Sequence, residues 1–372
     1  IRAYGLQRRS RARLDDAIQD QFKSEMSAAR WFAFMFTLGD AFGGVALASV
    51  AMAGIWFGES WGLNAGSLIA CLFLVQLILG PVAEIGEILD QTQTAIAGWS
   101  KVLGVLDTPV DLVEPEPGVE LPDGPLDVRV EHLGFTYQTG GPVLRDVTID
   151  IPAGASVAIV GETGSGKTTF VKLLDRLADP VEGSVLVGGI GLDTVNRQSR
   201  TERIRMVPQD GFMFDTSLGE NIAMGRIGAT IDDVRTSISE LGLETWVAGL
   251  PRGLDTEVGE RGEGLSVGER QLVALARAQM ADPGLLILDE ATSAVDPRTE
   301  RALTTALHRL AEGRTTVSVA HRLSTAEQAD LVLVFDAGEL VEHGSHGELV
   351  ARGGRYAELY RSWLGNTGQK AD

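Results

Sequence analysis

A glycine-rich stretch near the middle of the chain carries residue types that could bind phosphate. It follows the apolar run 155–160, which favours a buried parallel strand, and it reads Gly161-x4-Gly166-Lys167-Thr168. The residues after it have an apolar helical face, so the stretch joins a strand to a helix. Glycines let backbone N–H groups curl around an anion, and a helix N-terminus adds partial positive charge. This arrangement predicts a site for a nucleoside triphosphate.

Two side chains of this stretch have clear tasks around a triphosphate. Lys167 can reach the β- and γ-phosphates, and the Thr168 hydroxyl can ligate Mg2+. A plain glycine turn is the alternative, but it does not explain why strand, spacing, Lys-Thr pair and helix occur together. We expect the nucleotide to contact the whole stretch, named the phosphate loop below: Gly161, Glu162, Thr163, Gly164, Ser165, Gly166, Lys167, Thr168 and Thr169.

A second apolar strand sequence ends in two carboxylates. Residues 285–288 read Leu-Leu-Ile-Leu, and Asp289 and Glu290 follow directly. In enzymes with a phosphate loop of this kind, an aspartate at this place holds Mg2+ through water. Glu290 is then placed to polarise an attacking water as general base. The pair therefore predicts hydrolysis of the bound nucleotide.

Length, charge and cysteine content exclude several classes of protein. The 372 residues are enough for two or three domains, and the net charge of −19 argues against nucleic acid as a partner. Cys71 is the single cysteine, which excludes an intramolecular disulfide and a cysteine metal cluster. The chain begins with Ile1 rather than Met, so we expect a fragment of a longer protein.

Apolar residues concentrate in two long runs near the N-terminus. Residues 31–57 contain Asp40 as their one charge, a polar break covers 58–64, and residues 65–83 are just long enough to span a bilayer. The runs predict a transmembrane hairpin; a buried helical hairpin of a soluble protein is the alternative. Arginines within residues 1–30 place that end in the cytoplasm. Asp40 either lines a substrate path or is structural.

The remaining segments predict the rest of the domain organisation. The second apolar helix continues to about residue 106, which closes a first domain of residues 1–106. Residues 107–125 are rich in proline, glycine and acidic side chains and predict a linker. Residues 126–372 alternate strands with helices around the phosphate loop, which predicts a parallel sheet with helices on both faces.

At this point the chain resembles an ATP-binding cassette (ABC) transporter of the exporter type, over essentially its whole length. The resemblance implies a multi-domain fold: an α-helical transmembrane hairpin with long cytoplasmic helices, followed by an α/β ATPase domain with an antiparallel β subdomain and a helical subdomain. It implies ATP and Mg2+ as cofactors. It also implies the lipid bilayer, an unknown transported substrate and a second ABC half-transporter as partners, with the ATPase domain on the cytoplasmic side of the plasma membrane.

Short motifs in the family's order carry the resemblance and imply a role for each residue. Tyr137 occupies the position of the aromatic that stacks on adenine, and Asp296 that of the loop that crosses the dimer interface. Gln209 matches the glutamine that senses Mg2+ and the attacking water, and His321 matches the histidine that touches the γ-phosphate. The implied catalytic residues are Glu290, His321 and Gln209. The implied Mg2+ ligands are Thr168, Gln209 and Asp289.

The family's signature motif, here residues 265–269, departs from its usual Leu-Ser-Gly-Gly-Gln pattern. Val267 replaces a glycine and Glu269 replaces the glutamine, whereas Ser266 and Gly268 remain. The resemblance implies that Ser266, Gly268 and Glu269 face the ATP held by a partner. A branched side chain and a negative charge should weaken that contact, unless the carboxylate points away. The altered motif would weaken the ATP site of the partner, whereas the catalytic residues of this chain's own site are intact. Because the two sites would then differ, we expect a heterodimer rather than a homodimer.

Three other functions stay open at this stage. The fused apolar hairpin and the acidic charge argue against a soluble ABC ATPase that acts on DNA or ribosomes. A kinase with a phosphate loop has no need of the signature motif or of the motifs around Gln209 and His321. An exporter-shaped transporter that works inward has the same sequence features, so the direction of transport stays open.

Overall fold

The structure is a computed structural model that describes residues 7–110, 112–208, 211–289, 297–320 and 323–367. The chain divides into two compact units, and the boundary falls between Pro109 and Val110.

The first unit is a helical hairpin, as the sequence predicts. Asn64 starts the second helix with a capping box: its side chain accepts from the Ser67 N–H at 2.8 Å, and its own N–H donates to the Ser67 hydroxyl at 2.9 Å. The two helices approach closely at Gly54, where a Cβ would collide with the Leu68 side chain. The helices are α1 (Gln7–Phe57) and α2 (Ala65–Leu106).

One stretch of this hairpin is long and apolar enough to cross a membrane. It covers Thr37–Phe57 of α1, within the first predicted span, and it includes the exposed Asp40. The corresponding apolar stretch of α2, Ala65–Pro81, is shorter. Among the described residues, the second predicted span therefore falls below the length that the first one reaches.

The second unit contains a larger parallel sheet and a smaller antiparallel sheet. Its strands are β1 (Val128–Thr136), β2 (Pro142–Ile151), β3 (Ser156–Gly161), β4 (Glu182–Val187), β5 (Ile190–Gly191), β6 (Ile204–Val207), β7 (Leu285–Asp289), β8 (Thr315–Val319), β9 (Leu331–Asp336) and β10 (Glu339–Gly344). Its helices are α3 (Lys167–Leu174), α4 (Arg197–Arg203), α5 (Leu218–Ala223), α6 (Ile231–Leu241), α7 (Glu244–Ala248), α8 (Val267–Ala281), α9 (Pro297–Ala311), α10 (Leu323–Gln328), α11 (His346–Arg352) and α12 (Arg355–Thr367).

The larger sheet has the strand order β10-β9-β3-β8-β7-β6 and is parallel except for β10 at one edge. The strand before the phosphate loop, β3, lies between β8 and β9 and is buried on both faces. That double burial explains why its sequence is a continuous apolar run rather than an alternating one. The predicted parallel sheet is confirmed.

Two further layers match the predicted subdomains. The antiparallel sheet has the order β2-β1-β4-β5, and its buried side chains share one hydrophobic cluster with β3 and α3. A second cluster joins α5, α6, α8 and α9 to the other side of β6 and β7. The first cluster supports the phosphate loop, and the second supports the signature motif at the start of α8.

The stretch that the sequence predicts as a linker makes specific contacts with the second unit from residue 113 onward. The carboxylate of Glu114 pairs with the buried guanidinium groups of Arg200 and, at 3.7 Å, Arg176. The Val119 N–H donates to the Thr194 carbonyl at 2.8 Å. These contacts hold the stretch against the C-terminal end of α3.

Candidate active site

The phosphate loop is shaped by the end of β3 and the start of α3. Gly164 and Gly166 have φ values of 84° and 102°, in the left-handed region that side chains other than glycine rarely adopt. A Cβ on Gly166 would also lie 2.7 Å from Leu144 Cδ2. The predicted glycines are therefore required by the backbone, and the loop curls tightly enough to surround an anion.

Polar groups in the loop are suited to bind phosphate oxygens. Gly166 precedes α3 and no side chain caps the helix, so its first N–H groups stay available for a ligand. The Ser165 hydroxyl is buried and has no hydrogen-bond partner in the structure. A buried polar atom without a partner costs free energy, which a bound phosphate oxygen would recover. Both observations fit a triphosphate.

Lys167 keeps its ammonium group inside the curl of the loop. The side chain is buried, and Nζ donates to the carbonyls of Gly161 and Glu162, both at 2.8 Å. The Glu162 carboxylate points elsewhere, since it pairs with Arg355 at 2.8 Å. The loop therefore presents positive charge to a ligand, while its one acidic side chain is neutralised by α12.

Two of the residues predicted to hold Mg2+ lie in the described part of the chain: Thr168 follows β3, Asp289 ends β7, and β8 lies between these two strands. Thr168 is exposed in the first turn of α3, and Asp289 is half-buried at the end of β7. Among the described residues, no group of three or more metal-binding side chains occurs. Because Mg2+ is commonly held by one or two protein oxygens together with substrate phosphates, Thr168 and Asp289 fit a site that is completed by a nucleotide.

A cavity of about 240 Å3 beside α3 contains the residue predicted to stack on adenine. Tyr137 is partly exposed there, and its ring packs edge-on against Phe135, with ring centroids 4.9 Å apart. Its hydroxyl lies 3.2 Å from the hydroxyl of Thr169, at the end of the phosphate loop. Thr169 therefore links the aromatic platform directly to the loop.

The signature motif forms the N-terminus of α8. Ser266 is exposed, and its hydroxyl accepts from the Glu269 N–H at 3.3 Å. The Glu269 carboxylate folds back and accepts from the Ser266 N–H at 2.8 Å and from the Trp246 indole N–H at 3.3 Å. Val267 is exposed and Gly268 is buried. The carboxylate is thus engaged within this chain. Because it is directed at these two donors, its charge need not repel the phosphate of a partner's ATP.

Charged groups surround the opposite end of α3. Arg200 donates to the Asp175 carbonyl at 3.0 Å and so caps the C-terminus of the helix. Burial raises the pKa of the Asp175 carboxyl to about 7, although Arg200 and Arg205 act in the opposite direction. The far end of the phosphate-loop helix therefore titrates near neutral pH.

Four predicted site residues lie outside the described residues: Gln209, Glu290, Asp296 and His321. Three of them follow, in sequence, the strands β6, β7 and β8, which are adjacent and parallel. Their assignments stay predictions.

The sequence analysis missed three residues that support the site. Phe135 backs the adenine platform, Arg355 pairs with the loop carboxylate, and Trp246 binds the signature motif. Trp246 and Arg355 are far from their partners along the chain, and no short motif marks either one. Phe135 lies in β1 only two residues before Tyr137, and this short spacing is the signal that could have found it.

Comparison with known proteins agrees with this geometry. Residues 144–293 match the family model of the ABC transporters. The second unit is an ABC transporter ATPase domain. We call it the cassette from here on. The match includes the phosphate loop, the signature motif and Asp289.

The chain also resembles larger proteins that combine such a cassette with a membrane domain. It is 38% identical to a fatty acid ABC transporter ATP-binding/permease protein of Mycobacterium bovis, over 97% of this chain and 57% of the relative. It is 37% identical to the beta-(1→2)glucan export ATP-binding/permease protein NdvA of Brucella abortus, over 94% of this chain and 58% of the relative. The chain therefore spans less than two thirds of these proteins.

A solved structure supports the same architecture. A bacterial Atm1-family ABC exporter with ATP bound matches with a TM-score of 0.84 and 31% identity, covering 100% of this chain and 64% of that chain. The chain thus has the architecture of a part of a type I ABC exporter half-transporter. Its helical hairpin and cassette follow each other in the order that the sequence predicts.

Proposed function

We propose that this chain provides the ATP-hydrolysing part of a membrane exporter in which two cassettes close around ATP. The observation that carries the proposal is the phosphate loop, where an uncapped helix start, a buried Lys167 and the unpartnered Ser165 hydroxyl occur within three consecutive residues. These groups favour a ligand with a chain of phosphates.

The chain's own residues then divide the work of hydrolysis. The first N–H groups of α3 and the ammonium of Lys167 hold the phosphates, and Tyr137 stacks on the adenine. Thr168 and Asp289 would hold Mg2+, which neutralises phosphate charge when bound. Glu290 accepts a proton from the attacking water. Gln209 and His321 orient that water and the γ-phosphate.

We propose that a second ABC half-transporter supplies the groups that cover the ATP from the opposite side. Ser266 and the first turn of α8 are exposed and suited to meet the γ-phosphate of a partner's ATP. ATP would then join two cassettes, and hydrolysis would release them. This opening and closing would move the membrane helices and alternate the access of a substrate cavity.

The altered signature motif favours a pair of two different chains. Val267 is exposed where a glycine would let backbone approach phosphate. The engaged carboxylate of Glu269 weighs against the charge part of this hypothesis. ATPase activity of the protein reconstituted without a second chain decides the matter: rapid turnover that Val267→Gly leaves unchanged would contradict the heterodimer.

We propose that the helical hairpin lies in the plasma membrane. Large apolar side chains are exposed on both helices, for example Phe42 and Phe73, and they require lipid or further protein around them. The connection 58–64 would then face outward and the cassette the cytoplasm. Ser60→Cys, in a protein whose Cys71 is replaced by serine, should react with a membrane-impermeant thiol reagent in intact cells. Reaction only after permeabilisation would contradict this topology.

Export is the direction that we propose, because NdvA and the Atm1-family structure are named exporters. The test is ATP-dependent accumulation of substrate in inside-out vesicles that contain the whole protein, with candidates drawn from lipids and glucans. The Lys167→Ala protein is the control without nucleotide-driven transport. ATP-dependent loss of substrate from loaded vesicles would identify an importer, and ATP hydrolysis by a protein that needs no detergent would identify a soluble ATPase.

A further inference from the structure

The first turn of α8 brings two hydrogen-bond donors to a single side chain. The Ser266 N–H donates to Glu269 Oε2 at 2.8 Å, and the Trp246 indole N–H donates to Glu269 Oε1 at 3.3 Å. Each donor uses a different oxygen of the carboxylate. Glu269 therefore joins the signature motif to α7, which carries Trp246.

The chemistry of this contact distinguishes glutamate from glutamine. A carboxylate offers two acceptor oxygens, whereas the glutamine amide offers one oxygen and an NH2 group that is a donor. With glutamine at position 269, either the Ser266 N–H or the Trp246 indole would face another donor. Losing the acceptor of a partly buried N–H is costly, so the usual family residue does not suit this environment.

Neither donor can easily move away. The indole of Trp246 packs against the hydrophobic cluster that contains α8, and this packing fixes the direction of its N–H. The Ser266 N–H precedes the helix, where its position is set by the second half of the capping box, the bond from the Glu269 N–H to the Ser266 hydroxyl. The same network therefore determines where that hydroxyl lies.

We propose that Glu269 is a positioning residue that is matched to Trp246, and that the pair fixes the Ser266 hydroxyl for contact with the ATP of a second cassette; the ATP contact rests on the proposed function. In this chain the glutamate is a requirement of the local structure. Glutamate stands at the family's glutamine position because it can accept from the indole N–H of Trp246. It does not mark an inactive signature motif.

A set of three variants of the whole protein in lipid nanodiscs tests the pair. Glu269→Gln should lower kcat/KM for ATP at least about tenfold, the equivalent of one lost hydrogen bond to a charged acceptor. Trp246→Phe removes the second donor and should lower kcat/KM by less than Glu269→Gln does, since the Ser266 N–H keeps its acceptor. Glu269→Gln combined with Trp246→Phe should return to the level of Trp246→Phe, because glutamine can serve one donor.

A second measurement reads the contact directly and needs no nucleotide. The indole 15N–1H resonance of Trp246, assigned by its loss in Trp246→Phe, should shift in Glu269→Gln. Glu348→Gln is the matched control: its carboxylate accepts from the Ser345 N–H at 3.0 Å in the capping box of α11. That substitution should leave both the resonance and kcat/KM unchanged.

The outcomes separate this inference from the proposed function. A faster enzyme after Glu269→Gln, an unmoved Trp246 resonance, or a double variant no better than Glu269→Gln would each overturn the matched pair. A wild-type protein that hydrolyses no ATP would refute the proposed function, and the indole resonance would still decide whether Glu269 binds Trp246.

Discussion

The two helix starts that we place around ATP are built in opposite ways. Gly166 leads into α3 in a left-handed conformation and caps nothing with a side chain, whereas Ser266 leads into α8 in an extended conformation within a complete capping box. The first helix leaves its N–H groups for a ligand. The second satisfies two N–H groups internally, those of Ser266 and Glu269, and it keeps its shape when no partner is present.

This difference implies a division of labour. The start of α3 is stabilised by an anion and should therefore determine the affinity for nucleotide. The start of α8 keeps its shape without a ligand, so it adds a contact only when a second cassette brings its ATP. The α3 start therefore binds nucleotide within one chain, and the α8 start acts only when a partner is present. The experiments below are ordered from the largest expected effect to the smallest.

The largest effect is expected at Glu290, the proposed general base. Glu290→Gln should reduce steady-state ATP hydrolysis about 10^2–10^4-fold, because the attacking water loses its base, while ATP still binds. Single-turnover hydrolysis and nucleotide binding by the same protein measure the two effects. Turnover within a few-fold of wild type would show that another group activates the water and that Glu290 is not the general base.

Gly166 tests whether the open start of α3 needs glycine. Gly166→Ala forces a side chain into the left-handed region and against Leu144. Gly164 also has a positive φ, but a Cβ added there would meet no other atom within 4 Å, so Gly164→Ala is the matched control. Each backbone conformation costs about 1–3 kcal/mol for a residue other than glycine. The collision should add about 1–3 kcal/mol for Gly166→Ala alone. Thermal unfolding of both variants gives the difference, and equal melting temperatures would contradict it.

The far end of α3 should make stability depend on pH. Burial raises the folded-state pKa of Asp175 to about 7 from 3.8, so between these values the folded protein binds more protons than the unfolded chain. Stability from this group is therefore lost as pH rises from about 4 to 7, by on the order of 1 kcal/mol per pH unit. Asp175→Asn should flatten the dependence of Tm on pH in this window. An unchanged slope would mean that the carboxyl is already ionised.

Substitution of Ser266 has the smallest expected effect on stability, and it tests directly whether the start of α8 contacts a partner's ATP. Ser266→Ala removes a capping hydroxyl and should cost about 1 kcal/mol of stability. Ser345→Ala removes the same cap from α11 and is the matched control. If Ser266 also meets a partner's ATP, its variant should lower ATPase activity and the Ser345 variant should not. Equal ATPase activities of the two variants would show that Ser266 only caps α8.

Several elements of this molecule follow from sequence alone, because they depend on neighbours along the chain. The phosphate loop needs glycines at fixed spacing between a buried strand and a helix, and residues 161–169 contain that pattern. The helical hairpin follows from two apolar runs and a polar break. The parallel sheet and its subdomains follow from the alternation of strands and helices together with the family motifs.

Other elements depend on residues that are distant in sequence, and the tertiary structure alone decides them. The segment from Glu114 to Leu121 reads as a linker because proline, glycine and acidic residues dominate it, yet Arg176 and Arg200 hold it on the cassette. The composition of a segment indicates how it interacts with water, but it does not indicate which buried arginine will pair with its carboxylates. Hence the ion pairs appear only when the chain is folded.

The meaning of Glu269 was decided in the same way. By sequence it is a negative charge placed in a signature motif, and Coulomb repulsion of phosphate is the expected result. In the fold its two oxygens bind the Ser266 N–H and the indole of Trp246, 23 residues earlier in the chain. The type of a side chain determines what it can bind, and this glutamate could have met phosphate or two donors. Which of them it meets depends on the packing of α7 against α8, which no local pattern encodes.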